Sequence, residues 1–140
     1  MRVTLIEPMA PGVHVYMKFK LPRLGLPILG AVLERELGIR PTIFFQELEG
    51  IDWSVISASD LVGISTITTT APEAYAMLEK IKQRWDIPVV MGGPHVTFLP
   101  EEALEKGADF VVRGEGERAF PELVRRLPSS SRNWRASTGA

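Results

Sequence analysis

The 140-residue sequence contains no cysteine and only two histidines. The absence of cysteine excludes disulfides, thiolate metal sites and cysteine-ligated iron–sulfur clusters within this chain. With only His14 and His95, a metal site built from several histidines is excluded as well. No Ser-His-Asp or HExxH arrangement is present, so we expect no catalytic residues and no metal held by side chains of this chain.

Strong net charge and long apolar runs are also lacking. A formal net charge of -1 gives no electrostatic signature for nucleic acid or an acidic membrane surface. No apolar run approaches the roughly 20 residues that span a bilayer. The amino-terminal residues MRVTLIEP predict a first strand rather than a signal peptide. We therefore expect a cytoplasmic domain without nucleic-acid or membrane partners.

Five short apolar segments are predicted to be strands, each followed by a helix or a helical turn: residues 2–6, 41–46, 61–65, 89–91 and 110–112. This alternation predicts a parallel sheet with right-handed crossovers and helices on both faces. Five strands in about 125 residues favour an α/β, flavodoxin-like (Rossmann-like) sheet in the order 2-1-3-4-5.

The pattern predicts one domain over residues 1–127. Residues 128–140 have turn and linker composition and are predicted to be a linker or disordered tail. Residues 7–24 make a long loop after the first strand, and such loops are often functional. Within it, residues 14–19 are predicted to form a short strand or a flap over a ligand.

The most informative loop follows the fourth strand, where Gly92, Gly93, Pro94 and His95 come in succession. Paired glycines remove both β-carbons where a strand ends, which lets a ligand lie against the backbone. Ligands of open α/β sheets bind outside the carboxyl ends of the strands. The alternative is a tight turn with a structural histidine, which is the commoner role of a lone histidine.

The hydroxyl-rich segment 65–70 follows the third strand and offers uncharged hydrogen-bonding groups. Ser65 and Thr66 are the better ligand candidates because they are nearest the strand end. Thr69 or Thr70 is expected to be only a cap of the next helix.

After the fifth strand, Gly114 and Gly116 flank the Glu115 carboxylate, which permits close approach of a polar ligand edge such as ribose hydroxyls. The alternative is a solvated helix start, with Glu117 placed favourably by the helix dipole.

Three segments together carry a family resemblance: LPRLGLPILGAVLERELG, then DLVGISTITTTAPEAYAMLEKIK, then PVVMGGPHVTFLPEEALEKGADFVVRGEGERAFPELV. The chain resembles the cobalamin-binding domain of radical S-adenosylmethionine enzymes from Arg2 to Leu127. The resemblance implies a cobalamin whose nucleotide tail enters between the sheet and the helices. The rim loops and the resemblance together give this predicted cofactor-binding set: Pro8, Ser65, Thr66, Thr68, Gly92, Gly93, Pro94, His95, Gly114, Glu115 and Gly116.

One departure concerns the cobalt ligand. Cobalamin-dependent methionine synthases and mutases carry D-x-H-x-x-G after the first strand, with a histidine that ligates cobalt. Residues 7–12 read EPMAPG here, with no histidine in register, and His14 lacks the surrounding Asp and Gly. The resemblance therefore implies cobalamin bound with its own base displaced and without a protein histidine on cobalt.

A second departure concerns the catalytic machinery. Enzymes of this family continue into a barrel whose C-x-x-x-C-x-x-C motif holds the iron–sulfur cluster that cleaves S-adenosylmethionine, and this chain has no cysteine. The chain is then an excised domain, a truncated product or a stand-alone carrier, and we expect a fragment. Its parent would be methyltransferase-like or would rearrange an unactivated carbon skeleton, and the parent's barrel would be the partner of this domain. Alone, it should bind cobalamin without catalysis, and an exposed apolar rim would allow a homo-oligomer.

Two alternatives remain open. In the first, the chain is a small flavodoxin-like module that binds a nucleotide or a protein partner instead of cobalamin. In the second, it is an interaction domain that keeps the fold but has lost its ligand. A bulky residue at Gly93 is expected to abolish cobalamin binding if the first interpretation holds, and to cost only modest stability under the others.

Overall fold

The computed structural model describes residues 1–10 and 25–128. The strands are β1 (Val3–Glu7), β2 (Thr42–Phe45), β3 (Leu61–Ser65), β4 (Val89–Gly92) and β5 (Phe110–Val111). The helices are α1 (Gly25–Leu37), α2 (Gln46–Glu49), α3 (Trp53–Ser57), α4 (Ala71–Arg84), α5 (Pro94–Phe98), α6 (Pro100–Glu105) and α7 (Gly116–Arg126). The predicted flap at 14–19 and all but the first residue of the predicted tail lie outside the described residues.

The strands form a single five-stranded sheet in the order β2-β1-β3-β4-β5, and all neighbouring pairs are parallel. This confirms the predicted α/β flavodoxin-like order. The chain reverses its direction of travel across the sheet between the neighbours β1 and β3. Because all strands are parallel, their carboxyl ends share one edge, where open α/β sheets bind ligands.

Helices cover both faces of the sheet, as predicted. On one face, α4 packs on side chains that alternate along the three central strands, namely Ile6, Val62, Ile64, Val89 and Met91. On the other face, α1 and α7 cover Val3, Leu5, Leu61 and Val90. The two faces therefore have separate apolar cores, and only the second is covered by α1 and α7.

Several element boundaries differ from the predicted ones. β1 ends at Glu7 and β4 at Gly92, so both residues belong to the sheet edge rather than to the loops that follow. The short helices α2 and α5 were not predicted. Helix α5 begins directly after Gly93 because Pro94 has a backbone preorganised for a first helical turn. His95 consequently lies on a helix, not in a loop.

Two features are absent from the described part of the chain. No helix among residues 1–10 and 25–128 is both long and apolar enough to cross a membrane. The same residues contain no group of three His, Asp or Glu side chains placed to hold a metal ion.

Candidate functional site

A cavity of about 330 Å³ opens at the carboxyl edge of the sheet, beneath α1 and α7. Strands β1, β3 and β4 form its floor, the first turns of α1 and α7 form its roof, and the loops after β3, β4 and β5 form its rim. The lining residues are Leu5, Glu7, Gly25, Leu26, Leu29, Gly63, Ile64, Ser65, Ile67, Val90, Gly92, Gly93, Pro94, Val112, Gly114, Glu115, Gly116, Glu117 and Phe120. Concave, largely apolar sites with a few polar groups are typical of small-molecule binding.

Gly63 contributes no side chain to the floor of the cavity, and the Leu5 side chain from the neighbouring strand packs over it. The strand register places it between Leu5 and Val90, on the face covered by α1 and α7. A β-carbon at Gly63 would lie 2.7 Å from Leu5 Cδ2 and 3.5 Å from Val90 Cγ1. Sequence analysis did not single out Gly63. The available signal was a glycine inside an apolar strand, which often marks close approach of a ligand.

The interior walls are apolar. Leu26 from α1 and Phe120 from α7 are 7% and 2% exposed, and both lie in the core that includes Leu5 and Val90. β3 pairs with β1 on one side and with β4 on the other, so its backbone groups at the floor are committed to the sheet. The inner part of the cavity therefore presents apolar surface for a ligand to cover.

Gly92 and Gly93 differ in what they permit. Gly93 has φ of 100°, and a β-carbon there would lie 2.8 Å from the Thr66 nitrogen and overlap the Thr66 carbonyl. Gly92 has no positive φ, and its β-carbon would make an ordinary 3.6 Å contact with the Val112 oxygen. Gly93 is thus required by the backbone, which contradicts the modest stability cost expected for its substitution. Gly92 instead keeps the cavity rim open.

The polar residues at the end of β3 and just after it divide between cavity-lining and structural positions. Ser65 lines the cavity. Thr66 is fully buried, and both its backbone N–H and its hydroxyl donate to the Gly92 carbonyl at 2.8 Å. Thr70 occupies the N-cap position of α4, but its hydroxyl bonds the backbone of Ile67 rather than a helix N–H. Thr66 therefore holds the two strand ends together beside the cavity without lining it.

Thr97 ties the loop after β4 to the loop after β5. Its hydroxyl donates to the Gly93 carbonyl at 2.9 Å and accepts from the Gly114 N–H at 2.9 Å. Its carbonyl accepts from Arg113 Nε at 3.2 Å. Sequence analysis missed Thr97. The available signal was its position four residues after Gly93, because a threonine hydroxyl often bonds the backbone carbonyl four residues before it. The contact fixes Gly114 at the rim.

Carboxylates supply the charge at the cavity. Glu7, Glu115 and Glu117 line it, and no Lys or Arg does so among the described residues. Glu7 is 8% exposed. Glu117 Oε2 is buried and accepts no hydrogen bond from the described part of the chain. The solvated helix start considered for Glu117 therefore does not describe this side chain, which faces the cavity with a free acceptor.

His95 lies away from the cavity. Its Nδ1 is 3.4 Å from the Thr68 hydroxyl and its Nε2 is 3.5 Å from Glu102 Oε1. The ring meets Tyr75 edge to face, with centroids 6.1 Å apart. Burial, together with the Glu102 carboxylate, raises the pKa of Tyr75 to about 12. The imidazole thus joins α4, α5 and α6 beside the hydroxyl-rich segment.

The segment after β1 is held by Gln46, which sequence analysis also missed. The Met9 N–H donates to Gln46 Oε1 at 2.9 Å, and Gln46 Nε2 donates to Glu73 Oε1 at 2.9 Å. Pro8, just before Met9, is buried and does not line the cavity. The sequence around Gln46 gave no sign of this role, because its partners Met9 and Glu73 are distant in sequence.

The predicted site residues therefore fall into two groups. Those that line the cavity are Ser65, Gly92, Gly93, Pro94, Gly114, Glu115 and Gly116, and those that do not are Pro8, Thr66, Thr68 and His95. Their contacts with a cofactor stay predictions. His14 lies outside the described residues.

The sequence pattern of the B12 binding domain family matches residues 12–124. An uncharacterized methyltransferase of Pyrococcus horikoshii is 38% identical over 112 residues, which are 74% of this chain and 24% of that protein. Bacteriochlorophyllide d C-8(2)-methyltransferase of Chlorobaculum tepidum is 38% identical over 65 residues, 46% of this chain and 14% of that protein. An uncharacterized methyltransferase of Synechocystis is 26% identical over 136 residues, 91% of this chain and 25% of that protein.

This chain accordingly spans about a quarter or less of the length of these curated relatives. Among solved structures, the N-terminal domain of a hypothetical protein of Thermotoga maritima is similar with a TM-score of 0.44 and 23% identity, covering 72% of this chain and 94% of that one. The family match covers most of the described residues and includes the rim of the cavity and the part of its floor formed by β3 and β4. The chain belongs to the B12 binding domain family.

Proposed function

We propose that this domain binds cobalamin with the nucleotide tail in the cavity beneath α1 and α7 and with the corrin ring at the carboxyl edge of the sheet. The supporting observation is the floor of the cavity, where Gly63 removes a side chain from the middle of a strand paired on both sides. An opening of about 330 Å³ between sheet and helices falls within the size range of small-molecule pockets, roughly 300–1,000 Å³.

The residues present fit a nucleotide tail. Apolar side chains, among them Leu26, Val90 and Phe120, offer surface to a flat heteroaromatic base. At the mouth, the Ser65 hydroxyl and the Glu117 carboxylate offer partners for sugar hydroxyls. Gly92 lets the tail pass the rim because no β-carbon narrows it.

We further propose that cobalamin binds with its own base displaced from cobalt and without a histidine ligand from this chain. A base that occupies the cavity is too far from the corrin face to coordinate cobalt. Among the described residues, His95 packs between Thr68 and Glu102 instead of facing the cavity. His14 lies outside the described residues.

The parent activity we propose is methyl transfer by a cobalamin-dependent radical S-adenosylmethionine enzyme. All three curated relatives are named methyltransferases, and each is much longer than this chain. Cobalamin, when bound, supplies a cobalt centre that carries a methyl group. The iron–sulfur cluster and S-adenosylmethionine would be held elsewhere in the parent, because this chain has no cysteine. The domain would end near Leu127, which closes the core under α1 and α7.

The alternative of a nucleotide-binding module fits the cavity less well. Free nucleotides carry phosphate charge, whereas the described lining has the carboxylates of Glu7, Glu115 and Glu117 and no basic side chain. Like charges in a partly buried site repel. A corrinoid tail has a single phosphodiester, which would stay outside the mouth.

Absorption titration of the 140-residue chain with hydroxocobalamin tests the proposal. We expect saturable binding with loss of the base-on spectrum. Gly92→Leu should weaken binding by at least about tenfold, since its side chain enters the mouth while the backbone conformation is retained. Ala119→Leu, on the exposed face of α7 outside the cavity, is the matched control and should bind normally. Absence of binding by the folded wild-type chain would contradict the proposal.

A further inference from the structure

We infer that the cavity selects among corrinoids by the base of the nucleotide tail and favours bases with few hydrogen-bonding atoms at their edge over purines: phenols, which have none, and then benzimidazoles, which have one ring nitrogen. This inference rests on the proposed function and adds the chemical class of tail that the site accepts. It follows from how polar groups are distributed along the cavity.

The inner zone of the cavity has no hydrogen-bonding side chain among the described residues. Its floor is the row Leu5, Gly63 and Val90, and its roof includes Leu26 and Phe120. Leu5 and Val90 are 1% and 3% exposed. A base lying on this floor therefore meets hydrocarbon on both of its faces.

The backbone at the floor is not available to a base either. Gly63 is paired in register with Leu5 on one side and with Val90 on the other, so its N–H and carbonyl serve the sheet. Val90 is paired with Phe110 on its far side. Hydrogen-bonding atoms of a base in this zone would thus lose water without gaining a protein partner.

Among the described lining residues, the polar side chains are at the mouth. Glu7, Ser65 and Gly92 follow the floor row by two residues, which is about 7 Å along a strand. Glu117 Oε2 is a buried acceptor without a hydrogen-bond partner among the described residues, and it belongs to the first turn of α7. The polar side chains therefore lie where the sugar of the tail would be, and the base would lie deeper, on the apolar floor.

Adenine exposes an amino group and several ring nitrogens, whereas a cresol ring exposes none at its edge. Each polar atom buried without a partner weakens binding, so we expect the adenine tail to bind at least about tenfold more weakly. Adenine coordinates cobalt weakly and cresol not at all. With the base-off state of each corrinoid checked by its absorption spectrum, their comparison reports on the cavity rather than on the cobalt–nitrogen bond.

Equilibrium dialysis of the 140-residue chain against cresol-based cobamide, adenine-based cobamide and cobinamide, which lacks the tail, tests the inference. We expect the tightest binding for the cresol-based cobamide. Equal affinity for the two tailed corrinoids would overturn the selectivity while leaving cobalamin binding intact. Equal affinity for cobinamide would show that the tail does not use the cavity; it would overturn the inference and the proposed position of the tail, while leaving corrinoid binding by the domain intact. Failure of all corrinoids, cobalamin included, would instead overturn the proposed function on which the inference depends.

A pair of substitutions on one strand locates the effect. Val90→Thr adds a hydroxyl to the inner zone, so the preference for the cresol tail should fall by about threefold or more. Val89→Thr adds the same hydroxyl to the opposite face of β4, in the core under α4, and should leave the ratio unchanged. An unchanged ratio in folded Val90→Thr would contradict the inference. If that variant does not fold, the wild-type ratio still decides.

Discussion

The α-carbon of Gly93 packs against the backbone of Thr66, where a β-carbon would lie 2.8 Å from the Thr66 nitrogen. The same segment is fastened by the Thr66 N–H and hydroxyl, both of which donate to the Gly92 carbonyl at 2.8 Å. The ends of β3 and β4 thus approach closely through their backbones, and the Thr66 hydroxyl adds a side-chain hydrogen bond. This close approach fixes the position of Gly92 and Gly93 at the rim of the cavity.

The two neighbouring glycines should differ sharply in their effect on folding. Gly93→Ala should lower the free energy of unfolding by at least about 1–3 kcal/mol, because φ of 100° strains any side-chain-bearing residue and the β-carbon meets the Thr66 backbone. Gly92→Ala should change it by less than about 1 kcal/mol. Urea denaturation measures both, with an unchanged slope as the sign that only stability has moved. Equal losses for the two variants would refute this distinction.

Removing the Thr97 hydroxyl should loosen the loop after β5. Thr97→Val loses the hydrogen bonds to Gly93 and Gly114, so we expect about 1–2 kcal/mol of destabilisation and faster amide hydrogen exchange at Gly114. Thr97→Ser keeps the hydroxyl and serves as the control. Unchanged exchange at Gly114 in Thr97→Val would show that Thr97 does not position this loop.

Alkaline pH should destabilise the domain through Tyr75. Its pKa is raised from 10.0 to about 12 in the fold, chiefly by burial and also by the Glu102 carboxylate, so the neutral phenol is the form that packs. A group whose folded pKa is raised stabilises the fold fully below its unfolded pKa. That contribution is lost as pH rises from about 10 to 12.

Absorbance of the phenolate measures this titration, and Tyr75→Phe should remove the high-pH transition. The other tyrosine, Tyr16, lies outside the described residues, so Tyr16→Phe is the control that isolates Tyr75. Ionisation of Tyr75 near its ordinary pKa of 10 would contradict the burial of its hydroxyl.

The sheet could be predicted from local pattern because each strand is a short apolar run between turn residues. Gly92 and Gly93 were identified for the same reason, and both line the cavity. The importance of Gly63 could not be read from its neighbours, because it depends on the register with Leu5 and Val90. Thr66 was predicted from the sequence to contact a ligand, whereas its hydroxyl donates a hydrogen bond to the Gly92 carbonyl.

The helical position of His95 was not predicted, because the preceding glycines indicated a loop. The signal for a helix was the four-residue spacing of Gly93 and Thr97, which allows the Thr97 hydroxyl to bond the Gly93 carbonyl. The partners of His95 come from segments far apart in sequence, namely Thr68, Tyr75 and Glu102. Such contacts require the tertiary fold. They explain why a residue in a recognisable motif can lie outside the cavity that the motif borders.

The central claim is that the nucleotide tail leaves cobalt and enters the cavity, with no histidine of this chain taking its place. Electron paramagnetic resonance of the chain loaded with cob(II)alamin measures this directly, since a coordinated axial nitrogen splits the cobalt lines. We predict a spectrum without axial nitrogen splitting, identical in wild type, His14→Ala and His95→Ala. Splitting that changes with isotopic labelling of the tail base, or that disappears in either histidine variant, would contradict the account.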